Sequence, residues 1–306
     1  MNKRVELLSR RERGATMANQ RVGNTALGAA ICRLIEQYQP EKIRLFNDPV
    51  VKDLIAAPFR VLMQFASMRN FTVTQTDAIT PGIYGAQVCR TRYIDDAVQN
   101  GLAQGIGQVV ILGAGLDTRP YRLAGIERAN VFEVDLPSVQ ENKKKRLLKR
   151  FARLPENVTF IPIDFDTQSL ETAFTGTSFD LSRPAIFVWE GVTQYLSEDA
   201  VRRTLTFVGS SAPGSMLVFT YVLKSVIERH SDIAGADTMM DRVAKEGAPW
   251  LFGLEPSQVP SFLQPFHLHL TADVGNADYQ TSYLKPIGRN LVVSEVERIA
   301  QATMSS

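Results

Sequence analysis

Apolar and polar positions follow one another in two textures along this chain, and the change falls near Gln108. Before it, Ala26, Leu27, Ala30, Ile31, Leu34 and Ile35 form a helical stripe between Asn24 and Tyr38, closed by Pro40. Asn47-Asp48 reads as a second helix start, with Pro49 at the first position and Val50, Val51, Leu54 and Ile55 behind it. A third helix is predicted over Ile83 to Leu102, where Arg90, Arg92, Asp95 and Asp96 interleave with Val88, Tyr93, Ile94 and Val98. Beyond Gln108 come short apolar runs bounded by turn residues: Val109 to Leu112, Val131 to Val134, Val158 to Ile163, Ala185 to Trp189 and Met216 to Tyr221. Runs of this kind suit strands covered on both faces. Helical patterns separate them, at Pro120 to Arg128, Ser138 to Phe151, Gln168 to Phe174 and Asp199 to Ser211. Strand and helix in alternation predict a doubly wound, mostly parallel α/β sheet.

The rhythm breaks after Tyr221. Residues 223–262 mix polar and apolar positions around Pro249, Pro256 and Pro260, and suit an insertion or lid. Phe266 to Thr271 and Asn290 to Val293 read as two more strands, for a seven-stranded sheet, and Glu295 to Ala302 as a helical tail. The expected organisation is a single domain: a helical cap over 1–105, a ligand-binding core over 106–222, the lid over 223–262, and closing strands and helix over 263–306.

Composition narrows the function classes. The chain has 306 residues, 44% hydrophobic and 22% charged, as an ordinary globular protein does. Its 34 Lys plus Arg face 32 Asp plus Glu, so the net charge of +2 gives no reason to expect nucleic acid. The cluster Lys143 to Arg150 is accordingly expected to be a solvated helix face, with Leu147, Leu148 and Phe151 toward the sheet. Two cysteines, Cys32 and Cys89, and three histidines predict neither a disulfide framework nor a metal site. No apolar run reaches the length of a membrane span, so no membrane partner is expected. Met1 to Met17 carries four arginines and a lysine, Arg10-Arg11 among them, without a following apolar stretch; the expected compartment is the cytoplasm.

The chemistry concentrates at strand ends. Val109-Val-Ile-Leu-Gly113-Ala114-Gly115-Leu-Asp117-Thr-Arg119 runs an apolar strand into two glycines, which allow a sharp turn and close approach of a ligand. The next strand ends in Glu133-Val-Asp135, where a carboxylate can accept both hydroxyls of a ribose; Asp135 at the tip is the better candidate, and Glu133 can face a helix. Asp164-Phe165-Asp166 closes the third strand, a carboxylate for an exocyclic amine beside a ring that packs on a base, with Asp166 able to cap the next helix. Trp189-Glu190-Gly191-Val192-Thr193-Gln194-Tyr195 closes the fourth. A dinucleotide fingerprint is incomplete, because Thr118 stands at the third glycine position and Pro120 interrupts the following helix. Acidic groups on four successive strand ends repel phosphates, but suit ribose hydroxyls, an adenine amine and an ammonium. S-adenosyl-L-methionine carries all of these and a carboxylate besides, which Arg90 or Arg92 matches bidentately.

Cys89-Arg-Thr-Arg92-Tyr-Ile-Asp95-Asp96, Leu112-Gly-Ala-Gly-Leu-Asp117-Thr-Arg119, Phe132-Glu-Val-Asp135-Leu-Pro137 and Glu190-Gly-Val-Thr-Gln-Tyr195-Leu together resemble the leucine carboxyl methyltransferase family. The likeness is to its bacterial branch of S-adenosylmethionine-dependent methyltransferases, which includes O-methyltransferases of polyketide pathways. It extends from about Tyr84 to Leu205, and more loosely to Glu297-Arg298. The resemblance implies a class I, Rossmann-like methyltransferase fold acting on a hydroxyl or carboxylate of a small molecule. It places Gly113 against the methionine portion, Asp135 on the ribose, Asp164 and Phe165 at the adenine and Glu190 on the amino group. An arginine of Arg90-Thr91-Arg92 would take the carboxylate, with Arg92 favoured because helical spacing sets it beside Asp95-Asp96. Phe165 departs from the leucine frequent at that position in the family. Tyr195 is a candidate to face the sulfonium, and no general base is assigned among His230, His267 and His269. The rival readings are a nicotinamide-dependent oxidoreductase on a similar sheet and a non-catalytic sensor of the same donor.

Overall fold

A computed structural model of the protein describes residues 26–165 and 167–305. The five apolar runs extend as β1 (Gln108–Leu112), β2 (Asn130–Asp135), β3 (Val158–Pro162), β4 (Ile186–Trp189) and β5 (Met216–Val222), joined by β6 (Leu268–Val274) and β7 (Glu297–Met304). The order across the sheet is β3-β2-β1-β4-β5-β7-β6, and only β7 runs against the rest. Every residue of β1, β4 and β5 is buried, because helices cover both faces. The order reverses between β1 and β4, which opens a crevice above their carboxyl ends, the place where such sheets bind ligands.

Ahead of the sheet lie α1 (26–36), α2 (Val51–Leu54), α3 (Ala57–Leu62), α4 (Ala66–Ile79) and α5 (Ile83–Ala103). Between strands come α6 (Pro137–Phe151), α7 (Leu170–Phe174) and α8 (Glu198–Gly209). After β5 follow α9 (Lys224–Ile227), α10 (Ala236–Lys245) and α11 (Val259–Leu263), and α12 (Asn276–Tyr279) precedes β7. One core packs α1 and α5 against β1, β4 and β5 through Ala30, Leu34, Val88, Ile94, Val98, Ile111 and Val218. The opposite face carries Phe174, Leu205, Phe207 and Val208 from α7 and α8 against Val110, Phe187 and Phe219. Between β5 and β6, residues 223–262 form a small core of their own on Val222 and Val296, with Val226, Ala236, Met240 and Trp250.

Several expectations are corrected. Asn290 to Val293 is not a strand: it crosses α5 as extended chain, where the carbonyl of Gly82 accepts the Ser294 N–H at 3.0 Å. The seventh strand is instead Glu297–Met304, which takes in most of the Glu295 to Ala302 segment expected to be helical. Its Glu, Arg and Ala residues favour a helix, but pairing with β5 on one side and β6 on the other overrides that preference. The strand expected from Phe266 begins at Leu268, after a 3-10 turn at Gln264–Phe266 and a left-handed His267 with φ 58°. Pro120 to Arg128 is two 3-10 turns, Arg119–Tyr121 and Ile126–Arg128, instead of a helix. The second helix starts at Val51, whose N–H is accepted by Asp48 Oδ1 at 3.0 Å, and α3 and α4 follow where the pattern gave no helix. The residues before Ala26, with Asn24 and Arg10-Arg11 among them, lie outside the described residues, as does Asp166.

The crossing of residues 290–294 over α5 depends on a missing side chain. A Cβ at Gly85 would overlap the Val292 carbonyl oxygen, a backbone atom with nowhere to go. Gly85→Ala is expected to destabilise the fold by about 1 to 3 kcal/mol, the usual range for overpacking, and to lower the unfolding midpoint. An unchanged midpoint in thermal denaturation contradicts the crossing.

Candidate active site

β1 runs into Gly113 at φ 68° and Gly115 at φ 39°, left-handed conformations that favour glycine. The N–H groups of Gly113 and Ala114 both donate to the Val134 carbonyl, at 2.8 and 3.0 Å, which folds the loop over the end of β2. Space matters as much as φ. A Cβ on Gly113 would overlap Val192 of the loop after β4, and one on Gly115 would stand 3.3 Å from Ala26 of α1. Both glycines therefore serve chain packing, in addition to any approach of a ligand.

Asp135 ends β2 beneath this loop. Its Oδ2 accepts the Gly115 N–H at 2.5 Å and its Oδ1 the Leu136 N–H at 2.6 Å. Burial pushes its carboxyl up from the ordinary value, and the two amides and Lys143 offset part of the rise. Lys143 corrects the picture of a solvated basic face: it is buried, with Nζ 2.8 Å from Glu133 Oε2 and 3.4 Å from the Ala114 carbonyl, while Leu148 points outward. Glu133 thus faces α6 and also accepts from the Tyr121 hydroxyl at 2.8 Å.

The crevice floor is a continuous chain of buried ion pairs. Glu190, directly after β4, accepts from Arg90 Nε at 2.7 Å and from Arg119 Nη1 at 2.6 Å. Arg119 also donates to Asp117 at 2.6 Å and to Asp95 at 2.7 Å. Asp95 takes both Nη atoms of Arg122, at 2.6 and 2.8 Å. The Thr118 hydroxyl donates to Asp48 at 2.6 Å and accepts from Arg33 and Arg122, at 2.8 and 3.0 Å, which binds the cap into the same network. At the other end Arg90 Nη1 donates to Glu297 of β7 at 2.5 Å. Burial alone would raise Glu190, but the Arg119 and Arg90 guanidiniums hold it well below the ordinary carboxylate range. Asp117 is lowered as well: burial and Glu190 would raise it, but Arg119, Lys143 and Arg33 together outweigh them.

Glycine loop, Asp135 and Glu190 thus meet at one crevice. Arg92 does not join them: its Nε lies on Asp96 at 2.8 Å and its Nη1 on the Leu45 carbonyl at 2.7 Å, on the half-exposed side of α5. Arg90 occupies the crevice instead, its Nη atoms 3.7 and 3.8 Å from where a Cβ of Gly191 would stand. The sequence held a signal for it, since Arg90 shares a helical face with Ala86, Ala97 and Gly101, the face that meets the sheet. Asp164 follows β3, with its N–H donating to Gln168 at 2.9 Å. Phe165 is half-buried toward α7 and α8, beside a cavity of about 140 Å³ shared with Leu170, Arg203 and Thr204. Tyr195 ends the turn Thr193–Tyr195. All three histidines are exposed. Sequence reasoning missed Arg33, Asp48, Arg122 and Glu297, which only the fold brings together.

No helix of the described residues opens at the glycine loop to hold a pyrophosphate, and Thr118 is spent on Asp48. A crystal structure of a "putative methyltransferase" from Thermobifida fusca shares the fold with a TM-score of 0.59, at 18% identity, over 79% of this chain and 90% of that one. Strand order, reversed seventh strand and acidic strand tips define a class I S-adenosylmethionine-dependent methyltransferase. The family model described as leucine carboxyl methyltransferase matches residues 26–209. A Streptomyces coelicolor protein named "putative S-adenosyl-L-methionine-dependent methyltransferase" is 30% identical over 75% of this chain and 81% of its own. A Mycolicibacterium gilvum protein of the same name is 30% identical over 90% of this chain and 93% of its own. The chain belongs to the leucine carboxyl methyltransferase family, and its methyl donor is S-adenosyl-L-methionine.

Because the folded-state value of Glu190 lies below its unfolded one, its charge stabilises the protein above about pH 4.3, and that contribution is lost as pH falls below it. Glu190→Gln is expected to unfold more easily than wild type at neutral pH, with the gap narrowing under acid. A gap independent of pH in denaturant titrations contradicts the assignment.

Proposed function

We propose that the protein transfers a methyl group from S-adenosyl-L-methionine to an oxygen of a small molecule, a hydroxyl or a carboxylate, such as a polyketide or another secondary metabolite, in the cytoplasm. The observation that carries this reading is Glu190, a carboxylate held by Arg90 and Arg119 beside the glycine loop. In it, Asp135 binds the ribose, Asp164 and Phe165 the adenine, Gly113 to Gly115 the methionine chain and Glu190 the ammonium. Arg90 takes the donor carboxylate in preference to Arg92. Its Nη2 has no hydrogen-bond partner among the described residues, whereas Arg92 is engaged away from the crevice. Charge supports the match. The network sets Arg33, Arg90, Arg119 and Arg122 against Asp48, Asp95, Asp117, Glu190 and Glu297, one carboxylate in surplus. A donor bearing sulfonium, ammonium and carboxylate has a net charge of about +1, opposite in sign to that surplus.

The bound donor supplies an electrophilic methyl group whose displacement is in line. Positive charge disappears in that step, so the protein's task is orientation and exclusion of water, which supply on the order of 7 to 11 kcal/mol. Glu190 and Arg90 fix the amino-acid end without reorganising, because their neighbours already hold them. Asp135 fixes the ribose from a site locked by two amides. Tyr195 faces the sulfonium, and residues 223–262 with the amino-terminal helices close over the acceptor.

Two measurements test this. Calorimetry should show S-adenosylhomocysteine binding and NADH giving no heat, and donor labelled in its methyl should mark a product in extracts of the source organism; NADH binding in place of the thioether would contradict the reading. Arg90→Lys should weaken S-adenosylhomocysteine binding by about tenfold or more, while Arg92→Lys changes it less than about threefold. The reverse pattern reassigns the carboxylate to Arg92.

A further inference from the structure

Among the buried side-chain atoms without a hydrogen-bond partner in the described residues are Gln194 Oε1, Trp250 Nε1 and Glu297 Oε1, near the carboxyl ends of β4 and β5; Trp189 Nε1, at the end of β4, is another, but its ring lies in the core of the opposite sheet face. The segments of the first three are linked through the fold. The Leu251 N–H donates to the Gln194 carbonyl at 2.6 Å, which sets Trp250 beside the loop after β4. The Trp250 ring packs on the core containing Val222 and Val296. Val222 in turn pairs with Glu297 across β5 and β7. All three therefore lie beyond Glu190, on the side of the crevice away from Asp135.

Glu297 is anchored by one oxygen and open at the other. Its Oε2 is fixed by Arg90 of α5, which links it to Glu190, and Tyr279 of α12 lies close enough for the charge of Glu297 to add to the rise that burial gives its hydroxyl. A buried carboxylate oxygen without a donor is unfavourable, and a ligand hydroxyl relieves it. The histidines that could otherwise serve as base are all exposed.

We propose that Gln194, Trp250 and Glu297 form the acceptor subsite, and that the acceptor is a neutral hydroxyl compound, with Glu297 Oε1 receiving the hydroxyl proton. This rests on the methyl-transfer reading and chooses within it. The acceptor O–H bond breaks toward Glu297 as its oxygen forms the O–CH₃ bond. The S–CH₃ bond breaks and leaves its electron pair on sulfur, giving a neutral thioether, and the Glu297 carboxylic acid then returns its proton to water. Two hydrogen-bond acceptors and one indole donor suit an O–H and a lone pair. A carboxylate acceptor would bring its charge against Glu297 and the Gln194 oxygen.

The test uses the full chain loaded with S-adenosylhomocysteine and two probes of equal ring size, phenol and benzoate, titrated by ligand-observed NMR. Phenol should bind more tightly than benzoate by about tenfold or more. Trp250→Phe should weaken phenol several-fold, with S-adenosylhomocysteine affinity and unfolding midpoint unchanged. Glu297→Gln, isosteric and still able to meet Arg90, should narrow the preference for phenol. Normal S-adenosylhomocysteine binding with no preference for phenol, or a preference that neither substitution alters, overturns the subsite. Absence of S-adenosylhomocysteine binding by the wild type would instead overturn the methyl-transfer reading beneath it.

Discussion

The Arg119 guanidinium, buried and shared among Asp95, Asp117 and Glu190, is the interaction on which the crevice depends. Taking one such cation out of water is expensive, and no single partner at 2.6 or 2.7 Å repays it. Three carboxylates share it instead, because the planar fork of arginine meets several of them at once and each pair polarises the next. The consequence is geometric. Residues from α5, the loop after β1 and the loop after β4 hold one another in place, and Arg90 extends the chain to β7. Removing any one member leaves its partners buried and uncompensated, so the site is held as a unit.

That unit explains why catalysis here needs little covalent chemistry. A methyl group leaving a sulfonium requires alignment and a dry, fixed electrostatic setting, and groups already locked by neighbours need not reorganise during the step. The surplus carboxylate of the network suits the charge of the donor. It also sets up a contrast between the two halves of the crevice. The ion-paired groups meet one another and leave only Arg90 Nη2 over, whereas the atoms of Gln194, Trp250 and Glu297 assigned to the proposed acceptor subsite have no partner among the described residues.

Much of the core was legible in the sequence because burial weakens polar alternation: β1 to β5 stand where short, mainly apolar runs ended in turn residues. The carboxylates were legible for the same reason, since Asp135 and Glu190 are conspicuous at the ends of such runs. The closing strand was not. Glu297 to Met304 carries helix-favouring residues, and only its place between β5 and β6 makes it extended. Arg92 drew attention through its spacing to Asp96, and that local pair does form; Arg90 is distinguished by partners 100 and 207 residues away. Lys143 looked like one more solvated charge, because nothing local reveals that Glu133 lies opposite it. Long-range pairing of charges has no periodic signature, so the sequence shows the groups but not their partners.

A crystal structure of the protein with S-adenosylhomocysteine bound tests the central claim most directly. The ligand amino nitrogen is expected within hydrogen-bond distance of Glu190, its carboxylate on Arg90 and the Arg119 network unmoved. An S-adenosylhomocysteine amino group bound away from Glu190, or a network that rebuilds itself on binding, would contradict that claim.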